Sequence, residues 1–236
     1  PYLKMSAILN TLDRDIVLNL CQYGMGNVWE WGAEVGGQCW RTAGDLGFEL
    51  DRYHGVARRN ATHWQYAKPG AWNDPDYLLL GYVGSAAVMG EPVPCSLTPN
   101  EQYSYMSLWC LMAAPLFFSG DMSKLDEFTL NVLCNPEVIE IDQDPLGAQG
   151  HPAVIRTDEE AEIWTKPLED GSMAVGLFNR AEDEKPVNVR WDEIGMKGKQ
   201  KVRDLWRQED LGLFENTFSA PVGRNGVMLI RIWPAE

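Results

Sequence analysis

The run Gly70-Ala71-Trp72-Asn73-Asp74-Pro75-Asp76-Tyr77-Leu78 sets two carboxylates, an amide and an indole within a few residues. Pro75 locks its own φ and pushes Asp74 out of the α region, so a rigid loop carrying acids is predicted. Leu78-Leu79-Leu80 anchors that loop on something buried. Acids held rigidly beside a core element are what a binding or catalytic site needs. The same run also fits an Asx-turn whose side chains only satisfy backbone groups. A second run, Trp40-Arg41-Thr42-Ala43-Gly44-Asp45, pairs a permanently charged planar donor with an acid on a loop opened by Gly44. A guanidinium nearby favours the ionised carboxylate, which suits a base. An acid catalyst needs burial or a second carboxylate. A purely structural Arg–Asp pair fits equally well. In Cys21-Gln22-Tyr23-Gly24-Met25-Gly26, Gln22 can hydrogen-bond a polar ligand in both directions and Met25 can line a pocket. A polar loop over a buried Met is the other reading.

These runs need a scaffold. Tyr2 to Leu12 is predicted helical, Asp15 to Leu20 is a short buried strand, and a Gly- and Trp-rich loop spans Gln22 to Gly37. Trp40 to Asp45 ends another short element, and Asp51 to Gln65 is predicted helical. Thr98-Pro99-Asn100-Glu101 is a helix start with a capping box, running to about Ala113. Pro115 to Phe118 is predicted to be a buried strand. Ser123 is predicted to cap a further helix that Asn135-Pro136 ends. The acids of Ile139 to Gly147 are assigned to caps and turns at a domain junction. Alternating strands and helices imply a parallel sheet, with polar clusters at the C-terminal ends of its strands. Beyond Gly150 the pattern becomes antiparallel. Strands are predicted over Ala153–Thr157, Ala161–Lys166, Met173–Phe178, Val187–Trp191, Lys201–Trp206 and Val227–Trp233, with hairpin turns at Glu169-Asp170-Gly171 and Asn225-Gly226. The predicted division is 1–149 and 150–236.

The 236 residues are 45% hydrophobic, enough for a proper core. A net charge of -14 argues against nucleic acid and anionic membranes as partners. No stretch reaches the ~20 apolar residues of a membrane span. Ten Trp are compatible with carbohydrate handling and with ordinary core. The five Cys form no CxxC pair; Cys110 is predicted to be core, and Cys21 and Cys39 flank a loop across which they could pair. His54, His63 and His151 are scattered. No phosphate loop, HExxH or GxSxG occurs, so no cofactor and no metal are expected.

Five motifs, LCQYGMGNVWEWG, WRTAGD, PGAWNDPDYL, SLWCLMAAPLFFSGD and VIEIDQDPLGAQG, stand in the order and spacing of glycoside hydrolase family 27, which the chain resembles. Members include α-galactosidases and α-N-acetylgalactosaminidases. The resemblance implies a (β/α)8 barrel followed by an antiparallel β-sandwich, and retaining hydrolysis by two Asp residues. Asp45 matches the general acid/base and Arg41 a sugar-contacting residue. Asp76, Tyr77 and Trp72 match the pocket after the seventh strand. Gln22, with Cys21 and Met25, matches the loop that senses the substituent at C2, where α-galactosidases often carry Glu. The family's nucleophile sits in a Lys-x-Asp strand before the helix that Pro1–Leu12 resembles. The chain therefore resembles the C-terminal half of the barrel plus the β-domain, and is expected to be inactive and poorly stable alone. The implied partner is a galactose-configured oligosaccharide or glycoconjugate, and that substrate class favours a secreted or periplasmic location. A non-catalytic carbohydrate-binding protein and a metal-dependent hydrolase using Asp45 and Asp76 are the alternatives.

Overall fold

The computed structural model describes residues 1–46, 52–83 and 92–235. Its first part alternates short strands and helices: α1 (Tyr2–Leu9), β1 (Asn19–Leu20), α2 (Val28–Trp31), β2 (Cys39–Arg41), α3 (Tyr53–Ala61) and β3 (Trp72–Asp74). The expected helix over 51–65 begins at Asp51, outside the described residues. Its remainder is α3 and a 3-10 turn at Trp64–Tyr66. β1, β2 and β3 form a parallel sheet in that order, registering Asn19 with Cys39 and Cys39 with Trp72. A bridge from Leu78 to Phe118 adds a fourth parallel contact, so the predicted strand at Pro115–Phe118 is reduced to a single pairing.

Period-two alternation sorts the sheet into two faces. Leu20, Trp40 and Asn73 share a row. Leu20 and Trp40 pack with Val28 and Ala71, and with Tyr2, Trp29 and Trp31 from the two helices. A buried polar chain secures this side. The Trp40 indole donates to Asn73 Oδ1 at 2.8 Å, and the Asn73 amide donates to the Gln149 side chain at 2.9 Å and the His63 carbonyl at 2.8 Å. Gln149 in turn reaches the Asn60 carbonyl of α3, and Asn60 Oδ1 accepts from Thr42. Every polar group here is paired through another element, which is what permits burial. The opposite face carries Asn19, Cys39, Arg41, Trp72 and Asp74.

After the small antiparallel pair β4 (Tyr82–Val83) and β5 (Val93–Pro94) comes α4 (Pro99–Leu111), with the expected capping box of Thr98 and Glu101. α4 is buried nearly all round. It packs on Leu78, Leu79 and Leu80 on one side and on Trp164, Ala174, Phe178 and Leu229 on another. α5 (Glu127–Leu133) and α6 (Pro136–Asp142) follow. Asp126, not Ser123, caps α5, while Asp121 caps a short 3-10 turn at Met122–Lys124. Asn135-Pro136 starts a helix as well as following one: Asn135 Oδ1 accepts from the Glu137 and Val138 amides, and Pro136 sits at the first helical position. Residues Ile139 to Asp142 are therefore helical, where caps and turns were expected.

The rest is antiparallel: β6 (His151–Arg156), β7 (Ala161–Pro167), β8 (Met173–Asn179), β9 (Lys185–Arg190), β10 (Lys199–Asp204), β11 (Glu209–Glu215), β12 (Thr217–Val222) and β13 (Val227–Pro234). Six strands form one sheet in the order β11-β10-β13-β8-β7-β6, and β12 pairs with β9 in a second. Ile163, Val175, Leu177, Val202, Ile230 and Ile232 of the large sheet meet Val187, Val189, Phe218 and Val222 of the small one. The large sheet's other face packs on α4. There Gly176 lets the helix approach, since a Cβ would lie 2.9 Å from Leu111 Cδ1. Leu168 to Ser172 closes the β7–β8 hairpin as expected. Asn225-Gly226 does not close a hairpin: it carries the chain from one sheet to the other, because β12 and β13 pair with different strands. The five cysteines are free; Cys39 is buried and Cys21 exposed, so the anticipated pairing between them is absent.

Candidate active site

The C-terminal ends of β1, β2 and β3 bring three of the sequence runs together. Arg41, the last residue of β2, is 5% exposed and points along the polar face. Its Nη2 lies 2.9 Å from Asp76 Oδ2, 3.3 Å from Asp45 Oδ1 and 3.3 Å from the Ala43 carbonyl. One guanidinium thus joins two carboxylates from two different strand ends. The carboxylates are not alike. Asp45 has a side chain 61% exposed and, among the described residues, uses only Oδ1 for a protein contact. Asp76 is buried and held on all sides. Its Oδ2 also accepts from the Leu46 amide at 2.6 Å and its Oδ1 from the Tyr77 amide at 2.8 Å. By lone-pair count, Asp76 has one acceptor position left for a hydroxyl. Asp45 is open to solvent.

Behind them Asp74 Oδ1 accepts from the Asp76 amide at 2.9 Å, and its Oδ2 from Asn19 Nδ2 at 2.8 Å. Burial pushes the Asp74 carboxyl up against the lowering effect of Asn19 and Arg41. This pairing ties β1 to β3 across β2. The thiol of Cys39 on the same face is pushed up to about 12 by burial and Asp74, so it is an inert core group.

The run after β1 folds over Arg41. The Gly24 amide donates to the Arg41 carbonyl at 2.9 Å. A Cβ on Gly24 would lie 2.3 Å from the Thr42 carbonyl oxygen, so only glycine fits. The Tyr23 ring then lies 5.4 Å from the Arg41 guanidinium carbon. The Tyr23 phenol is shifted up by its bond to the Cys21 thiol and by the charges of Cys21 and Asp45. Gln22 Oε1 accepts from the Tyr2 hydroxyl at 2.5 Å, which leaves its amide nitrogen to donate. Met25 is 58% exposed on the same turn. Tyr77 is 47% exposed, its ring centroid 6.5 Å from that of Phe117.

Arg41, Asp45, Asp76, Tyr77 and the Cys21–Met25 turn therefore gather at one mouth. Trp72 does not join them. It stands two residues before Asp74, at the other end of β3, and packs by Gly147. There it lines a cavity of about 580 Å³ with Val17, Gln38, Pro115, Phe117 and Pro145, at the N-terminal ends of the strands. The rise of the strand decides this, since the indole and the Asp76 loop share a face but lie at opposite ends of one short element. Tyr23 and Asn19 belong to the polar cluster but were not singled out from sequence, and Asp74, one of the two carboxylates of the first run, was given no role of its own. The Tyr23-Gly24 pair after a strand was the available signal for Tyr23. Among the described residues, no group of three or more His, Cys, Asp or Glu comes together as a metal would require. Among the described residues, no helix is long and apolar enough to cross a membrane.

A family profile described as "Alpha galactosidase A" matches residues 1–144, and one described as "Alpha galactosidase C-terminal beta sandwich domain" matches residues 158–232. Alpha-galactosidase 2 of Arabidopsis thaliana is 34% identical over 94% of this chain and 52% of its own length. The alpha-galactosidase of Cyamopsis tetragonoloba is 31% identical over 99% of this chain and 54% of its own. A solved family 27 β-L-arabinopyranosidase from Geobacillus stearothermophilus superposes with a TM-score of 0.89 at 27% identity, covering 99% of this chain and 53% of that one. The chain spans about half the length of the curated relatives it matches. With the profiles matching in the order of its parallel and antiparallel parts, the chain belongs to glycoside hydrolase family 27, the α-galactosidase/melibiase family.

Proposed function

We propose that the chain supplies one side of the active site of a retaining α-glycosidase acting on galactose-configured sugars. The observation that carries this reading is Arg41, buried and bridging Asp45 and Asp76 at the ends of adjacent parallel strands. Asp45 is the general acid/base: it protonates the departing glycosidic oxygen, then takes a proton from the water that releases the sugar. Its exposure and single loose contact suit a group that must change protonation twice per turnover. Asp76, Arg41 and Tyr77 receive the sugar, with Asp76 accepting from a ring hydroxyl. Cys21, Gln22 and Met25 bound the side of the pocket nearest β1.

A retaining mechanism needs a second carboxylate to attack the anomeric carbon. The chain's one Lys-x-Asp, Lys124-Leu125-Asp126, is committed elsewhere, since Asp126 caps α5. The attacking group belongs to an earlier barrel strand outside these residues. Leu3, Met5 and Ile8 of α1 and Val17 before β1 are exposed apolar side chains. The catalytic unit extends over 1–149 and the β-sandwich over 150–236.

The test is Asp45→Asn in the full-length polypeptide carrying this chain. Turnover of substrates with poor leaving groups should be lost, while aryl glycosides with good leaving groups still form the covalent intermediate. If both classes are hydrolysed at parental rates, the role is wrong. The likeness to a β-L-arabinopyranosidase favours a second specificity. β-L-Arabinopyranose has the ring configuration of α-D-galactose without the hydroxymethyl group. The ratio of kcat/KM on the two matched aryl glycosides distinguishes them.

A further inference from the structure

Asp76 has φ of +125°, a conformation that L side chains rarely adopt. Such strain persists only where the surroundings over-determine it. On the carboxylate side the restraints are Arg41 and the amides of Leu46 and Tyr77. On the backbone side they come from α4. The Trp109 indole donates to the Asp76 carbonyl at 2.8 Å, and the Tyr105 hydroxyl donates to the Tyr77 carbonyl at 2.5 Å. Both side chains are fully buried. Residues 105 and 109 are one turn apart, so one helix face meets two successive carbonyls. The rings cannot swing away. Tyr105 stacks on Tyr53 of α3, centroids 5.0 Å apart and planes at 17°, and meets Trp109 edge-on at 4.4 Å.

We infer that Trp109 and Tyr105 are positioning residues for the sugar site. They clamp the Asp76–Tyr77 backbone in its strained form and thereby aim the Asp76 carboxylate and the Tyr77 ring at the substrate. A buried Trp or Tyr needs some acceptor for its polar atom. Here both are committed to the single loop on which the site depends, while the capping groups of α4 lie at its far end. Without the clamp the Asp76 peptide relaxes toward ordinary φ and the carboxylate turns off Arg41 and the Leu46 amide. The inference rests on the reading that Asp76 and Tyr77 face the sugar.

The experiment uses the full-length polypeptide carrying this chain and an aryl α-galactoside. Trp109→Phe removes the N–H and keeps a ring; Tyr105→Phe removes one oxygen. Each should raise KM, by about 10-fold and about 5-fold respectively, with kcat within about 3-fold of the parent, as loss of uniform binding requires. In an Asp76→Ala background, which raises KM itself, both effects should shrink to what the Tyr77 ring alone contributes. A purely structural role lowers Tm and leaves the KM of the folded enzyme unchanged. Should Trp109→Phe not fold, Tyr105→Phe decides alone. Unchanged KM in the foldable variants overturns the inference, as do effects that multiply fully with Asp76→Ala. If Asp76→Ala leaves KM unchanged, the reading of the site falls and the inference falls with it.

Discussion

Replacing Arg41 by Met removes a buried charge while leaving most of its stem. At 2.9 Å from Asp76, and with an effective dielectric near 20, the direct attraction is about 6 kcal/mol before desolvation is set against it. The net effect is smaller, because the pair itself was taken out of water. Breaking a buried pair from one side costs about 3–5 kcal/mol, since the remaining charge is stranded. Asp76 keeps two backbone donors, Leu46 and Tyr77, so the lower end of that range applies. The expected loss is about 3 kcal/mol at pH 7, read from equilibrium urea denaturation of the full-length polypeptide carrying this chain. Asp45 supplies an internal control. Its carboxylate touches the same guanidinium but is 61% exposed, so Asp45→Asn should cost no more than about 0.5 kcal/mol. Arg41→Met combined with Asp76→Asn should recover about 1–2 kcal/mol of the single variant's loss, by removing the stranded charge. A single-variant loss below about 1 kcal/mol, or a double variant no more stable than Arg41→Met, would refute the reasoning.

Asn73→Ala should destabilise the protein by about 3 kcal/mol in the same assay, because it leaves the Trp40 indole N–H and Gln149 Oε1 without their buried partners; a change under about 1 kcal/mol would mean that the network is not fully formed. His54 predicts a pH dependence: burial, helped by Arg180 and Arg58, pushes its imidazole down to about 3, against the pull of Glu162 at 3.5 Å. The unfolded chain then binds a proton that the folded chain refuses, so stability falls as pH drops from about 6.5 to 3 and is level above that window. His54→Gln should flatten this slope, which is on the order of a few kcal/mol, in urea titrations across that range. A slope of the opposite sign would mean that Glu162 prevails and the imidazole is charged in the fold.

What the sequence determined about this protein is what short-range chemistry controls. Thr98-Pro99-Asn100-Glu101 starts a helix because its four residues satisfy one another's orphan groups. Glu169-Asp170-Gly171 turns because Gly171 accepts a positive φ of +82°. The change from alternating strands and helices to antiparallel pairing is legible in the same way, as is the placing of Arg41, Asp45 and Asp76 at strand ends. Long-range partners decided the rest. Asn135-Pro136 ends one helix and begins another, and only the chain beyond shows that it does both. β11 is mostly exposed and so carries no clear buried face, and β12 buries only Phe218, Ala220 and Val222 on either side of Pro221; both are strands because β10 and β9 supply their hydrogen bonds. Trp72 sits four residues from Asp76 in sequence, yet a short extended strand puts the two at opposite ends of the sheet. Trp109 and Tyr105 looked like any aromatic residues of a buried helix. Which carbonyls receive their polar atoms depends on how α4 lies under the Asp76 loop, and a linear sequence contains no such coordinate.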